Sequence, residues 1–242
     1  MGDYMYFPKI TVEELAHKID NTLLKPDATL KDIERFCLES LKYNFIGICV
    51  SSCYVGYVSK ILKNSGIRVI STVGFPLGNI SMEAKIRETE KAIRDGADEI
   101  DMVMNIGMFK SGRYDYIRSE IESILKIVHH NDKILKVIIE TALLSDNEIA
   151  IATKILGEIG VDYIKSNTGF IGKTNIHDIM IIKKNLINGL KIKVAGGIRH
   201  YEEALLYIGL GADRIGTSTG INIIKEYKKH LSNMGTNKSI SE

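Results

Sequence analysis

Residues 98–105, DEIDMVMN, decide how the chain is read. Polar and apolar side chains alternate there with a period of two, the pattern of a β-strand whose two faces meet different surroundings. Ile100, Met102 and Met104 form the apolar set, which leaves Asp101 on the opposite face. Short β-branched runs of this kind recur on both sides: IDNTLL, FIGICVS and RVISTVGF before it, and LKVIIET, DYIKSN, LKIKVAG and DRIGTS after it. Longer amphipathic segments such as SMEAKIRETEKAIRDG, YDYIRSEIESILKIV and DNEIAIATKILGEIG separate them, with an opening helix over TVEELAHKI, another from about Leu30 to Tyr43 and another around Tyr54 to Asn64. Gly66, Gly96, Gly160, Gly189 and Gly211 each stand between a helix and the next strand, where a left-handed cap is wanted. Eight strand–helix units without a linker or a break in composition predict an α/β fold, a single closed (β/α)₈ or TIM barrel with a short N-terminal helix. Residues 1–231 make that domain, and the polar stretch from Ser232, SNMGTNKSISE, is expected to fray.

Composition sets outer limits. With 45% hydrophobic and 26% charged residues among 242, the chain is globular rather than disordered. Its 32 Lys+Arg against 30 Asp+Glu leave a net charge of only +2, without a basic face, so nucleic acid is not an expected partner. No apolar run approaches the roughly 20 residues that cross a bilayer. The start, MGDYMYFPKI, lacks a basic region followed by an apolar stretch, so no signal peptide is expected from it, and Tyr6 stands where a myristoylation signal has Ser or Thr. Cys37, Cys49 and Cys53 form no CxxC pair, which suits a reducing compartment, and the expected location is the cytoplasm.

Barrel strands point alternate side chains into the barrel and out toward the helices. Outward Ile164 puts Lys165 inside, outward Ile192 and Val194 put Lys193 inside, and outward Val137 and Ile139 put Lys136 and Glu140 inside. With Asp101 this makes five inward charges where Val, Ile and Leu are usual, at a cost of several kcal/mol for each one left unpaired. A self-neutralising ion-pair network is one explanation. Their convergence near strand C-termini, where active sites of this architecture lie, favours chemistry. A buried lysine is useful when its neutral amine condenses with a carbonyl, because the resulting iminium draws electrons from the neighbouring bond. A second ammonium and partial burial both favour the neutral amine, and Asp101 can move protons directly or through a water.

Glycines and hydroxyls cluster at the ends of the last strands, in AGGIR (Ala195 to Arg199) and GTSTG (Gly216 to Gly220). Backbone without side chains approaches an anion closely, and N–H groups at a helix start point toward it, so Gly196, Gly197, Arg199, Gly216, Thr217 and Ser218 are candidates for a phosphate site. Ser166, Asn167, Thr168 and Gly169, after strand six, join them. An ordinary helix cap would explain Ser218 or Thr219 taken alone.

In this order IDNTLL, EIDMVMNIG, KVIIET, DYIKSNTGF and KVAGGIR resemble the deoxyribose-phosphate aldolase family over nearly the whole chain, from about Asp20 to Gly220. The resemblance implies that Lys165 forms the Schiff base, Lys193 is the second lysine that tunes it and Asp101 the proton-transfer carboxylate. Asp20 matches the family's early aspartate and, with Thr22, is assigned to substrate. It further implies reversible cleavage of 2-deoxy-D-ribose 5-phosphate to D-glyceraldehyde 3-phosphate and acetaldehyde, with no metal and no cofactor, in a homo-oligomer. Two motifs depart from the family pattern. Lys-Thr-Ser-Thr-Gly becomes Lys165-Ser166-Asn167-Thr168-Gly169, and Lys-Pro-Ala-Gly-Gly becomes Lys193-Val194-Ala195-Gly196-Gly197.

Six histidines show neither H-x-H nor HExxH spacing, which argues against a zinc aldolase. Cys49 reads as buried filler, Cys53 as exposed, and KEYKKH as a solvated helix face. Two other functions fit the same inward charges: a phosphosugar isomerase or epimerase with Asp101 or Glu140 as base, and a non-catalytic phosphate-binding barrel.

Overall fold

The computed structural model describes residues 8–236. Eight parallel strands close into a barrel in chain order: β1 (Ile19–Leu23), β2 (Gly47–Val50), β3 (Arg68–Val73), β4 (Glu99–Val103), β5 (Ile134–Ile138), β6 (Tyr163–Lys165), β7 (Lys191–Ala195) and β8 (Arg214–Thr217). β8 returns to β1 with Ile215 opposite Ile19, so no strand edge is left open. The (β/α)₈ expectation holds.

Around the barrel run α1 (Val12–Ala16), α2 (Leu30–Leu41), α3 (Val55–Ile61), α4 (Met82–Arg94), α5 (Ile106–Lys110), α6 (Tyr114–His130), α7 (Asp146–Ile159), α8 (Ile176–Asn185), α9 (Tyr201–Gly209) and α10 (Gly220–Thr236). Their starts are written in the sequence. Thr11, Thr29 and Ser145 close capping boxes with Glu14, Asp32 and Glu148, each cap contributing about 1 kcal/mol. The opening helix is shorter than TVEELAHKI, because Thr11 is its cap and Ile19 already pairs in β1. The expected helix at Tyr54 begins as a tight turn over Ser52–Tyr54, and α3 stops at Ile61. α5, a single turn capped by Asn105, is an addition within the β4–α6 connection. α10 runs on to Thr236, past Ser232, so the first part of the polar tail is helical; residues 237–242 lie outside the described part.

One local device repeats at the start of three of the even-numbered strands, β4, β6 and β8. Asp98, Asp162 and Asp213 each precede such a strand and accept the backbone N–H of Val69, Leu135 and Ile192 respectively, at 2.8–3.0 Å. Each carboxylate ties a strand to its neighbour at the N-terminal end and fixes their relative stagger.

The apolar core lies between barrel and helices, where Ile48, Val69, Ile100, Met102, Val137, Ile164, Ile192, Val194 and Ile215 meet the helix faces. The barrel interior is a second, smaller compartment. Its apolar members Cys49, Ile70, Val103, Ile138, Tyr163 and Ala195 are buried but separate from that core. Seven interior positions carry charge: Asp20, Glu99, Asp101, Lys136, Lys165, Lys193 and Arg214 are all at most 5% exposed.

Candidate active site

Lys165 is the last residue of β6 and stands in register with Lys193, mid-strand on β7, while Asp101 sits mid-strand on β4. Both lysines donate to the same oxygen: Lys165 Nζ and Lys193 Nζ each lie 2.7 Å from Asp101 Oδ2. The two ammonium groups are therefore no further apart than twice that distance. Lys136 Nζ donates to the other oxygen, Asp101 Oδ1, at 3.0 Å, and Lys193 also reaches Asp20 Oδ2 at 2.6 Å.

The electrostatics follow from this packing. Burial opposes the charge of Asp101, but Lys136, Lys165 and Lys193 overcome it and hold the carboxyl well below the usual carboxylate range. Burial likewise opposes the charge on Lys193, and Asp101 and Asp20 outweigh it, so Lys193 is held firmly as a cation. Lys136 is raised in the same way by Asp101 and Glu99. Glu99 loses to burial but gains more from Lys136 and Arg214, which bring it down to about 2.

Above this layer a cavity of about 500 Å³ opens at the C-terminal end of the strands. Thr22, Lys165, Thr168, Gly169, Gly196, Gly197, Arg199, Gly216, Thr217 and Ser218 line it, as the sequence predicts for a binding site there. Of the buried cations under the cavity, Lys165 alone belongs to its lining; Lys193, Lys136, Asp101 and Asp20 form the layer beneath. Two glycines earn their place by contact. A Cβ on Gly216 would stand 3.1 Å from Lys193 Cε and 2.9 Å from Ala195 Cβ, and one on Gly197, at φ +85°, 2.9 Å from Lys173 Cγ.

Ser166 and Asn167 are not part of the lining. Ser166 faces away from Lys165, donating to Ala195 O and accepting from Ala195 N, both at 3.0 Å, which stitches β6 to β7. Asn167 receives Ala142 N–H at 3.1 Å and donates to Thr141 Oγ1 at 2.9 Å, so its amide joins the end of β6 to the turn after β5. The sequence grouped both with the anion candidates after strand six, but Ser166 has the parity opposite to Lys165 and so faces away from it, and the amide of Asn167 is taken up by the turn after β5. Val194, the other departure from the family pattern, is buried against the helices. Glu140, grouped with the inward charges, forms no ion pair with the lysines: its carboxylate accepts Thr168 N–H at 3.0 Å, and burial raises its pKa against the opposing pull of Thr168 and Lys165.

Sequence reasoning missed several groups. Lys173, Lys25 and Phe170 line the cavity from loops, where no periodicity marks residues, and Phe36 reaches it from α2. Glu99 and Arg214 were legible by parity, since Glu99 is two residues from Asp101 and Arg214 precedes outward Ile215. Among the described residues no group of three or more His, Cys, Asp or Glu is arranged to hold a metal ion. No described helix is long and apolar enough to cross a membrane.

Fold and cavity together define a barrel enzyme with a lysine amine presented at its mouth from a buried charged layer. The sequence profile of the DeoC/LacD family of aldolases matches residues 16–227. The deoxyribose-phosphate aldolase of Caldicellulosiruptor saccharolyticus is 47% identical over 90% of this chain and all of its own length. The solved structure of "QR15, an Aldolase" superposes with a TM-score of 0.86 at 40% identity, covering 90% of this chain and 98% of that one. A tetrameric deoxyribose phosphate aldolase from Aeropyrum pernix gives 0.85 at 29% identity, covering 90% and 92%. The chain belongs to the DeoC/LacD aldolase family, as its motifs suggested, and is an aldehyde-lyase.

Proposed function

We propose that the chain is a class I aldolase cleaving 2-deoxy-D-ribose 5-phosphate reversibly to D-glyceraldehyde 3-phosphate and acetaldehyde through an imine on Lys165. The observation that carries this reading is that Lys165 opens into the cavity while Asp101 joins it to Lys193 beneath.

In the neutral form, the Lys165 amine adds to C1 of the open-chain aldehyde, and loss of water from the carbinolamine gives the iminium. The C2–C3 bond then breaks, its electron pair moving into the iminium to leave an enamine, while the C3 hydroxyl loses its proton and becomes the aldehyde of glyceraldehyde 3-phosphate. Protonation of the enamine at C2 and hydrolysis release acetaldehyde and regenerate the amine. Asp101 touches both amines, and its affinity for a proton rises once Lys165 has given up its charge, so it is placed to carry protons between Lys193 and the reacting centre. Backbone at Gly196, Gly197 and Gly216, with Ser218 at the approach to α10, suits the phosphate, and Lys173 and Arg199 supply positive charge beside it. Thr217 supports these loops, donating to Ile198 O at 2.7 Å.

The relatives' names support the substrate, and the Aeropyrum tetramer supports a homo-oligomer. Unpaired Cys37, Cys49 and Cys53 suit the cytoplasm. Incubation with deoxyribose 5-phosphate, with and without exhaustive chelation, tests the reading. Equal yields of the two aldehydes at an unchanged rate are expected. Loss of turnover on chelation, restored by a divalent metal, would reject the lysine mechanism.

A further inference from the structure

The charged layer beneath Lys165 closes on itself. Lys193 bridges Asp101 to Asp20, Arg214 bridges Asp20 to Glu99, and Lys136 bridges Glu99 back to Asp101. Three carboxylates thus alternate with three cations, and the ring is electrically neutral. Every cation in it lies between two carboxylates. Lys165 hangs on Asp101 from outside and touches one. It is the one cation attached to the ring without belonging to it, and its proton is the one whose departure leaves every ring contact intact.

We propose that Glu99 and Arg214, at the floor of the barrel and away from the cavity, are positioning residues that fix this charge count and so make Lys165, rather than Lys193 or Lys136, the amine that reacts. The proposal rests on the imine reading above. Arg214 Nη1 holds Asp20 Oδ1 at 2.7 Å, and Asp20 in turn holds Lys193; Arg214 Nη2 holds Glu99 at 3.2 Å, and Glu99 in turn holds Lys136. Without either residue the ring opens and its neutrality is lost.

The other groups around the ring leave the count unchanged. From β2, Cys49 is held neutral, burial pushing its thiol up to about 11. From β3, Arg68 also meets Glu99, but its side chain is 41% exposed and its charge is screened by water. From β6, the Tyr163 ring carries Lys191 and Arg214 over it, and Lys191 is exposed. Beyond β5, Glu140 accepts Thr168 N–H and touches no ring cation; it acts on Lys165 through space, and this contribution is common to wild type and the variants below.

The experiment is the pH profile of acetaldehyde trapping with cyanoborohydride, read as ethyl mass at Lys165. A unit charge about 10 Å away at an effective dielectric near 20 moves a titration by about one pH unit. Glu99→Gln removes an anion and is expected to shift trapping about one unit toward acid. Arg214→Met removes a cation and is expected to shift it about one unit toward alkali. The double variant restores neutrality and returns the midpoint close to wild type. Arg214→Lys keeps the charge and should retain the wild-type midpoint, which keeps the proposal testable where the Met variant folds poorly. Lower trapped mass with unmoved midpoints, or shifts in one direction for both single variants, would show a merely structural role and overturn the proposal. A wild type that gains no mass at Lys165 refutes the imine reading itself, whereas normal wild-type trapping beside unmoved variants refutes this inference alone.

Discussion

Asp101 Oδ2 accepts hydrogen bonds from two ammonium groups at the same distance, and that shared oxygen divides the labour of the lysines. Lys193→Met removes a cation next to the nucleophile while keeping much of the side-chain volume, so trapping at Lys165 should need solution more alkaline by roughly two pH units. An unchanged profile with turnover lost would instead make Lys193 a proton donor or a substrate ligand. Phosphate recognition is tested at Ser218, because Gly197 has positive φ and lies under the Lys173 stem, so any side chain there damages the loop. Ser218→Asp should weaken deoxyribose 5-phosphate about tenfold or more relative to unphosphorylated deoxyribose, in competing kcat/KM measurements. Equal losses for the two substrates would place the phosphate elsewhere. Lys165, Lys193, Lys136 and Asp101 were legible because each has outward Ile, Met or Val neighbours that declare the parity. Lys173, Lys25 and Phe170 were not, since their positions depend on loop paths that no period encodes.

At the scale of elements, the aspartates before β4, β6 and β8 carry information that hydrophobic pattern alone lacks. Period-two alternation says which face is buried but leaves the stagger of neighbouring strands to local contacts. Asp213→Ala should leave Ile192 N–H without its side-chain partner and destabilise the barrel by about 1–3 kcal/mol, measured by urea unfolding, with the active-site geometry retained. A change below the error of the measurement would mean that the pin is redundant with the β7–β8 ladder. The helices were legible from their caps, as at Thr29 and Ser145, and from glycines such as Gly160 with φ +85°. α5 was not, because five residues are too few to show a helical period.

At the scale of the whole molecule, the barrel exchanges an oily interior for a neutral ring of ion pairs, and this makes stability depend on acid in a defined window. Glu99 is held at about 2 and Asp101 well below its ordinary value. Carboxylates depressed in the folded state stabilise it fully above their unfolded pKa, about 4, and that contribution is lost as pH falls toward their folded values. Thermal unfolding should therefore hold steady from neutrality to about pH 5 and then fall steeply. Glu99→Gln, less stable at neutral pH by about 3–5 kcal/mol, should show a shallower acid decline. An identical decline in the variant would remove Glu99 from the ring's energetics.

The central claim is that Lys165 is the reacting amine, and one measurement tests it directly: peptide mass mapping after reduction of the enzyme with acetaldehyde and borohydride. The account predicts a single added ethyl group, on Lys165, in wild type, and none at any pH in Lys165→Met. An adduct on Lys193 or Lys136, or a catalytically active wild type that gains no mass, would contradict it.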